Sequence, residues 1–282
     1  MLANEAVDAL SARDAARAAA PLERLRREAP DHPALPALEA LAGGLAGWRR
    51  PGADPGAIVR AAQWVDSEIA PAAERVLGPA APALVGGFFR ELADAARGIA
   101  YEPAYATTHR AGFCLRCGEW GEAEEAARAI PDSTRNPDAL QWLSVARYRR
   151  HGLAAARASL FALAWHAPHR LASVRAALGD ELLDREWAAF ERACEWESVE
   201  EVELPAWFPA WFLLEHPVVG KELSDVAFPD IPAANAARLL VALFERERQG
   251  NQRRLVGQRE RLRRLNPDFF SLYMARRQVQ YL

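Results

Sequence analysis

Apolar residues recur every three or four positions along almost the whole chain, and Ala, Leu, Glu and Arg dominate its composition. This spacing predicts amphipathic helices, whereas the two-residue alternation of a half-buried strand is scarce. Glycine and proline divide the pattern into segments of about 10 to 20 residues. The chain is therefore predicted to be all-α, with short helices joined by tight turns as in stacked helical hairpins.

A fixed period runs through part of this pattern. Gly118 in "RCGEWGEAEEAARA" and Gly152 in "RHGLAAARASLFALA" are 34 residues apart, and each precedes an alanine-rich helix. Gly250 after "LLVALFERERQ" is followed 17 residues later by Pro267 in "RLRRLNPDFF". These residues resemble the turn glycines and closing proline of tetratricopeptide repeats, which share that period. The resemblance covers residues 104–168 and 232–275.

The resemblance has two departures. The second-helix position that faces the first helix's small-residue site across the hairpin falls on Ala123, Arg157 and Leu255, and arginine departs from the pattern. Pro131 follows Gly118 by only 13 residues, so the second helix of that unit is predicted to be short.

Three regions follow from the pattern and the resemblance. Residues 1–102 form an N-terminal helical region of degenerate repeats, and residues 103–178 match the repeat pattern best. Residues 179–282 contain an aromatic segment and a final repeat-like hairpin. The resemblance implies one continuous domain, a right-handed array of helical hairpins, which is a tetratricopeptide-like α-solenoid.

The resemblance also implies a non-enzymatic function. Such arrays bind a partner protein or peptide in a concave groove, as scaffolds, adaptors or assembly chaperones do. In the family the groove is lined by first-helix residues just before the turn glycine, here Leu115, Arg116, Arg149, Arg150, Glu247 and Arg248. Tyr105 and Trp142 fall on the other groove positions. Because arginine is so frequent among them, the expected partner is an acidic or carboxylate-bearing peptide.

The segment "PAWFPAWFLLEHP" is the most aromatic in the chain. Trp207 and Trp211 are four residues apart, so a helix brings them to the same face. Buried, they would fill the core between neighbouring helices, which is the favoured interpretation. Exposed, they would form a binding patch. In the exposed alternative Trp207 and Trp211 are partner-binding residues. The second functional hypothesis, a structural or regulatory component that associates with itself, depends on this alternative.

Cys114 and Cys117 form the only C-x-x-C in the chain. They fall in the last turn of a predicted helix, whereas a redox pair needs the N-terminal end, where the helix dipole stabilises a thiolate. A zinc site needs four ligands, and His109 and His151 are the conceivable additions. The favoured interpretation is a buried, hydrophobe-like cysteine; an enzyme or zinc protein with a site near Cys114 is the third hypothesis.

No reaction centre is predicted. The phosphate-binding loop, H-E-x-x-H and G-x-S-x-G are all absent from the sequence. We therefore predict no catalytic residue, no metal ligand and no cofactor.

Charge and composition indicate the compartment. The net charge is −3, so nucleic acid is an unexpected partner, and the arginines of residues 245–282 are expected on the solvated face of an amphipathic helix. No apolar run reaches the roughly 20 residues of a membrane span, and no secretory signal is recognisable. Three cysteines suit a reducing compartment. We expect a cytoplasmic protein, bacterial by its arginine-for-lysine usage.

Overall fold

A computed structural model describes residues 2–194, 196, 199–223, 226–248 and 252–280, with the side chains of residues 248, 252–254 and 278–280 left aside. Every regular element in these ranges is helical, and they contain no β-strand. The all-α prediction is therefore confirmed. No helix in the described ranges combines the length and the apolar surface that crossing a membrane requires.

The chain forms two compact units, residues 1–126 and 127–282. The division falls within the central region, 103–178, that the sequence predicted to match the repeat best. The arrangement of the helices as a tetratricopeptide-like array stays a prediction.

The first unit contains seven complete α-helices in its described residues, interrupted by a π-helical turn at Val65–Ile69 and 3-10 turns at Gly78–Ala80 and Pro103–Thr108. These helices are α1 (Leu2–Ser11), α2 (Ala15–Glu28), α3 (Leu35–Gly47), α4 (Pro55–Trp64), α5 (Ala70–Leu77), α6 (Ala81–Ala95) and α7 (Arg110–Arg116). The next helix, α8 (Trp120–Arg128), contains the boundary between the units. It is nine residues long, as expected from Pro131.

The second unit contains the remaining helices, with 3-10 turns at Pro168–Arg170, Leu204–Trp207 and Pro217–Leu223. These helices are α9 (Pro137–His151), α10 (Leu153–His166), α11 (Leu171–Leu178), α12 (Glu181–Ala193), α13 (Phe208–Glu215), α14 (Pro232–Arg248), α15 (Gln252–Leu265) and α16 (Pro267–Gln280). Helices α9 and α10 pack against each other as a hairpin, and α14, α15 and α16 pack in succession.

Local chemistry explains where α9 begins and ends. The side-chain oxygen of Asn136 accepts hydrogen bonds from the backbone N–H groups of Asp138 and Ala139, both at 3.0 Å, and Pro137 occupies the first turn. Gly152 ends the helix with a φ of 79°, and Gly118 has a φ of 80° after α7. Both glycines adopt the left-handed region that favours glycine, which confirms the turn role predicted for each. Gly250 lies outside the described residues.

The core of the second unit is built around α13, which is buried on every side. Phe190, Phe208 and Phe212 pack there as a network of tilted and edge-on rings with centroids 5.5 to 5.8 Å apart. Trp207 and Trp211 are only 4% and 2% exposed. The two tryptophans therefore fill the core, in agreement with the favoured interpretation, and their alternative role as exposed partner-binding residues is corrected. The self-association hypothesis loses the surface that motivated it.

Candidate binding site

Three of the predicted groove residues lie in the first unit, and Leu115 among them is partly buried. Tyr105 is 46% exposed in the 3-10 turn before α7. Arg116, at the end of α7, forms a two-armed ion pair with Asp66 of the π-helical turn, with 2.9 Å between Nη1 and Oδ2, and its guanidinium lies 3.6 Å from the ring centroid of Phe89. Arg116 therefore connects three parts of the first unit while its side chain remains 43% exposed, and its role as a groove residue stays a prediction.

The predicted groove face of α9 is packed against its neighbour. Asp138, Trp142 and Arg149 share one face of this helix by their spacing. Arg149 donates a hydrogen bond from Nη2 to the backbone oxygen of Ala177 at 2.8 Å, and Asp138 pairs with Arg170 at 2.5 Å. Arg149 thus caps the C-terminal end of α11, and both Arg149 and Arg150 are exposed, so their role at a groove stays a prediction.

The last predicted groove positions lie at the end of α14. Glu247 is 9% exposed and pairs with Arg277 at 2.8 Å and Arg259 at 3.3 Å, and it accepts a hydrogen bond from the Tyr273 hydroxyl at 2.6 Å. Its expected position in a groove is therefore wrong. The side chain of Arg248 lies outside the described residues.

A cavity opens on the opposite face of α9, where Leu140, Leu143 and Arg147 follow one another at helical spacing. Its volume is about 440 Å³. We call it the arginine-lined cavity; its walls are Arg128, Ser133, Thr134, Leu140, Leu143, Arg147, Ala158, Ser159, Ala162, Glu222, Val226 and Ala227. It therefore lies inside the second unit, between the α9–α10 hairpin and the segment that follows Pro217–Leu223.

The polar groups of the arginine-lined cavity are mostly cationic or hydroxylic. Arg128 and Arg147 each contribute a guanidinium, and among the described residues of the wall Glu222 is the one acid. The Glu222 carboxylate pairs with Arg157 at 2.9 Å. Arg157 is 14% exposed, and its Nε is buried without a hydrogen-bond partner in the described part of the chain. The arginine that departs from the repeat pattern thus neutralises the acid beside the cavity.

Arg128 and Arg147 lie outside the groove positions that the repeat pattern predicts, since those positions are counted from the turn glycine. One signal was present. Arg147 follows Leu140 and Leu143 on a face of α9 that is otherwise apolar, and a charge in such a position indicates a buried partner or a ligand.

The cysteine pair has the character of buried thiols. Cys114 is fully buried, and burial raises its pKa to about 12. Burial also raises the pKa of Cys117, whose Sγ lies 3.5 Å from the backbone oxygen of Cys114. The described residues contain no group of three or more His, Cys, Asp or Glu side chains that could hold a metal ion. Both thiols are protonated at neutral pH, which fits the hydrophobe-like interpretation better than a redox pair.

A second cavity lies at the far end of α10. Its volume is about 340 Å³, and we call it the aromatic cavity. Its walls are Trp165, Pro168, Val199, Glu203, Ala206, Trp207, Ile231, Pro232, Ala233, Leu265, Asn266 and Pro267. Trp207, expected at a partner surface, thus lines a recess of the core.

Neither a protein-family model, nor a curated protein sequence, nor a solved structure matches this chain. A functional proposal therefore rests on the geometry of the two cavities in the second unit.

Proposed function

We propose that the chain is a non-enzymatic binding module, of the scaffold or adaptor kind, that holds an acidic segment of a partner protein. A carboxylate of that segment would sit in the arginine-lined cavity. The observation that carries the proposal is the meeting of Arg128 from α8 and Arg147 from α9 on one concave wall. A guanidinium is planar and permanently charged, and its fork of N–H donors matches a carboxylate.

The other groups of the cavity favour the same ligand. The hydroxyls of Ser133 and Thr134 add polar groups on the loop between α8 and α9. Glu222 would repel an anion, but Arg157 compensates its charge. Leu140 and Leu143 give the cavity apolar sides, and a charge pair is stronger beside apolar groups than in bulk water because the local dielectric is lower.

The repeat resemblance supports a protein as the source of the carboxylate. It is best over residues 103–178, which include the α9–α10 hairpin that forms most of the cavity. Helical hairpin arrays characteristically bind extended chains along their surfaces. The proposal thus keeps the acidic partner that Arg149 and Arg150 led us to expect. It assigns recognition of that partner to Arg128 and Arg147 instead.

The proposal is tested with a fluorescein-labelled octaglutamate peptide and fluorescence anisotropy, with octaglutamine as the neutral comparator. Octaglutamate should bind and octaglutamine should not. Arg147→Gln should weaken octaglutamate binding roughly 10- to 100-fold, because a charge-assisted hydrogen bond contributes about 1.5 to 3 kcal/mol. Arg128→Gln should have a similar effect.

The matched control is Arg261→Gln, which removes one charge from an exposed position of α15. This control should change the affinity less than about twofold, since distant surface charges are screened by salt. Equal losses in Arg147→Gln and Arg261→Gln would show attraction to net charge alone and refute the site. Far-UV circular dichroism of each variant verifies that it is folded.

A further inference from the structure

The aromatic cavity has rigid walls. Trp207 packs edge-on against Trp196, with 5.5 Å between ring centroids, and lies 5.6 Å from Phe269. Trp165 is held by Phe228 at 5.0 Å. Pro232 and Pro267, in the first turns of α14 and α16, complete a wall with little conformational freedom. A ligand would therefore meet preformed aromatic surfaces and lose little free energy in ordering them.

Carbon atoms form the surface that Trp165 presents to the aromatic cavity. The Nε1 of this indole is buried and has no acceptor in the described part of the chain. Because this N–H is closed off, the part of the ring that lines the cavity consists of carbon atoms. Such a surface attracts cations, and tryptophan does so more strongly than the other aromatic side chains.

One acidic residue lines the aromatic cavity, and two more precede it closely in the sequence. Glu203 lines it, and Glu200 and Glu201 precede it as exposed residues. Within the described ranges none of these three carboxylates forms an ion pair. Arg264, next to the cavity wall at Leu265, is already paired with Glu260 at 3.1 Å. The cavity thus combines aromatic walls with a carboxylate, that of Glu203, which forms no ion pair within the described ranges.

We propose that the aromatic cavity binds an organic cation, either a quaternary ammonium group or the guanidinium of an arginine side chain. Trp165 and Trp207 contact the cation through their rings, and the carboxylate of Glu203 compensates its charge. The volume suits one side-chain-sized group. This site is separate from the arginine-lined cavity and binds a ligand of the opposite charge. The proposal of a cation site therefore does not depend on whether the acidic partner is found.

The test uses the full chain labelled with ¹⁵N at tryptophan and follows the indole N–H resonances of Trp165 and Trp207. Trp165→Phe and Trp207→Phe assign the two resonances. Choline and N-acetylarginine amide are the cationic probes, and 3,3-dimethyl-1-butanol, the uncharged isostere of choline, is the control ligand. At least one cation should shift both resonances, with a Kd roughly 2- to 30-fold lower than that of the neutral isostere.

Two variants separate charge from shape. Glu203→Gln should weaken cation binding severalfold and leave the isostere unaffected, because only the cation interacts with the carboxylate. Glu191→Gln removes an exposed acid of α12 that does not line the cavity, and it should change neither. The proposal is overturned if neither cation shifts the two resonances, if the isostere binds as tightly as choline, or if Glu203→Gln and Glu191→Gln behave alike. Which cation binds more tightly identifies the source of the charged group.

Discussion

Adjacent glycines in α3 have opposite surroundings. A Cβ on Gly44 would lie 2.2 Å from Cδ1 of Ile69 and 3.2 Å from the ring of Trp64, whereas a Cβ on Gly43 would meet nothing within 4 Å. Gly44→Ala is therefore expected to destabilise the protein by about 1 to 3 kcal/mol, because the core has to shift. Gly43→Ala should stabilise it by up to about 1 kcal/mol through helix propensity. Urea unfolding of both variants measures this difference, and equal effects would contradict the close packing of α3 at Gly44.

The buried thiols make stability depend on alkaline pH. Burial raises the pKa of both Cys114 and Cys194 from 9.0 to about 12. Above pH 9 the unfolded chain loses these protons while the native chain keeps them. The contribution of the two thiols to the free energy of unfolding is therefore fully present below pH 9 and decreases as the pH rises toward 12. For each thiol the free energy of unfolding decreases by about 1.4 kcal/mol per pH unit between pH 9 and pH 12. Between pH 8 and pH 10, Cys194→Ala should lose less stability in urea unfolding than the parent, and equal losses would disprove the shift.

At the scale of elements, Glu247 connects three helices. It lies on α14, and its ion-pair partners Arg259 and Arg277 lie on α15 and α16. Burial and the hydrogen bond to Glu247 also raise the pKa of the Tyr273 hydroxyl. Breaking a buried ion pair leaves an uncompensated charge, so Glu247→Gln is expected to cost about 3 to 5 kcal/mol in urea unfolding. Glu245→Gln, at an exposed position of the same helix, should cost less than about 0.5 kcal/mol; comparable losses would refute the network.

The first and last residues of α9 could be predicted from the sequence, but which of its two sides packs against a neighbouring helix could not. Pro137 and Gly152 mark its ends because proline suits the first turn and glycine the left-handed turn after the last. The helix has large apolar residues on two opposite sides, Leu140 with Leu143 and Trp142, so periodicity alone does not tell which side faces a neighbour. Arg157 and Glu222 are 65 residues apart, and no local pattern predicts such a pair.

At the scale of the second unit, both cavities lie along one face of α10. Ala158 and Ala162 line the arginine-lined cavity, and Trp165, one turn further on the same face, lines the aromatic cavity. Ala158 and Trp165 are seven residues apart, which is about 10 Å along the helix axis. An extended peptide covers the same distance in about three residues. We therefore expect one extended segment, with an acid and a cation about three residues apart, to reach both cavities.

A peptide with glutamate and arginine three positions apart should therefore bind more tightly than the same peptide with either residue replaced by glutamine. The gain arises because the second contact forms at the high effective concentration set by the first. Fluorescence anisotropy with labelled peptides of one-, three- and five-residue separation measures it, and the three-residue spacing should be the tightest. Arg147→Gln should remove the gain in affinity that the peptide's glutamate provides. Glu203→Gln should remove the gain that its arginine provides. If the affinity for the peptide does not depend on the spacing between glutamate and arginine, the two cavities bind their ligands independently of each other.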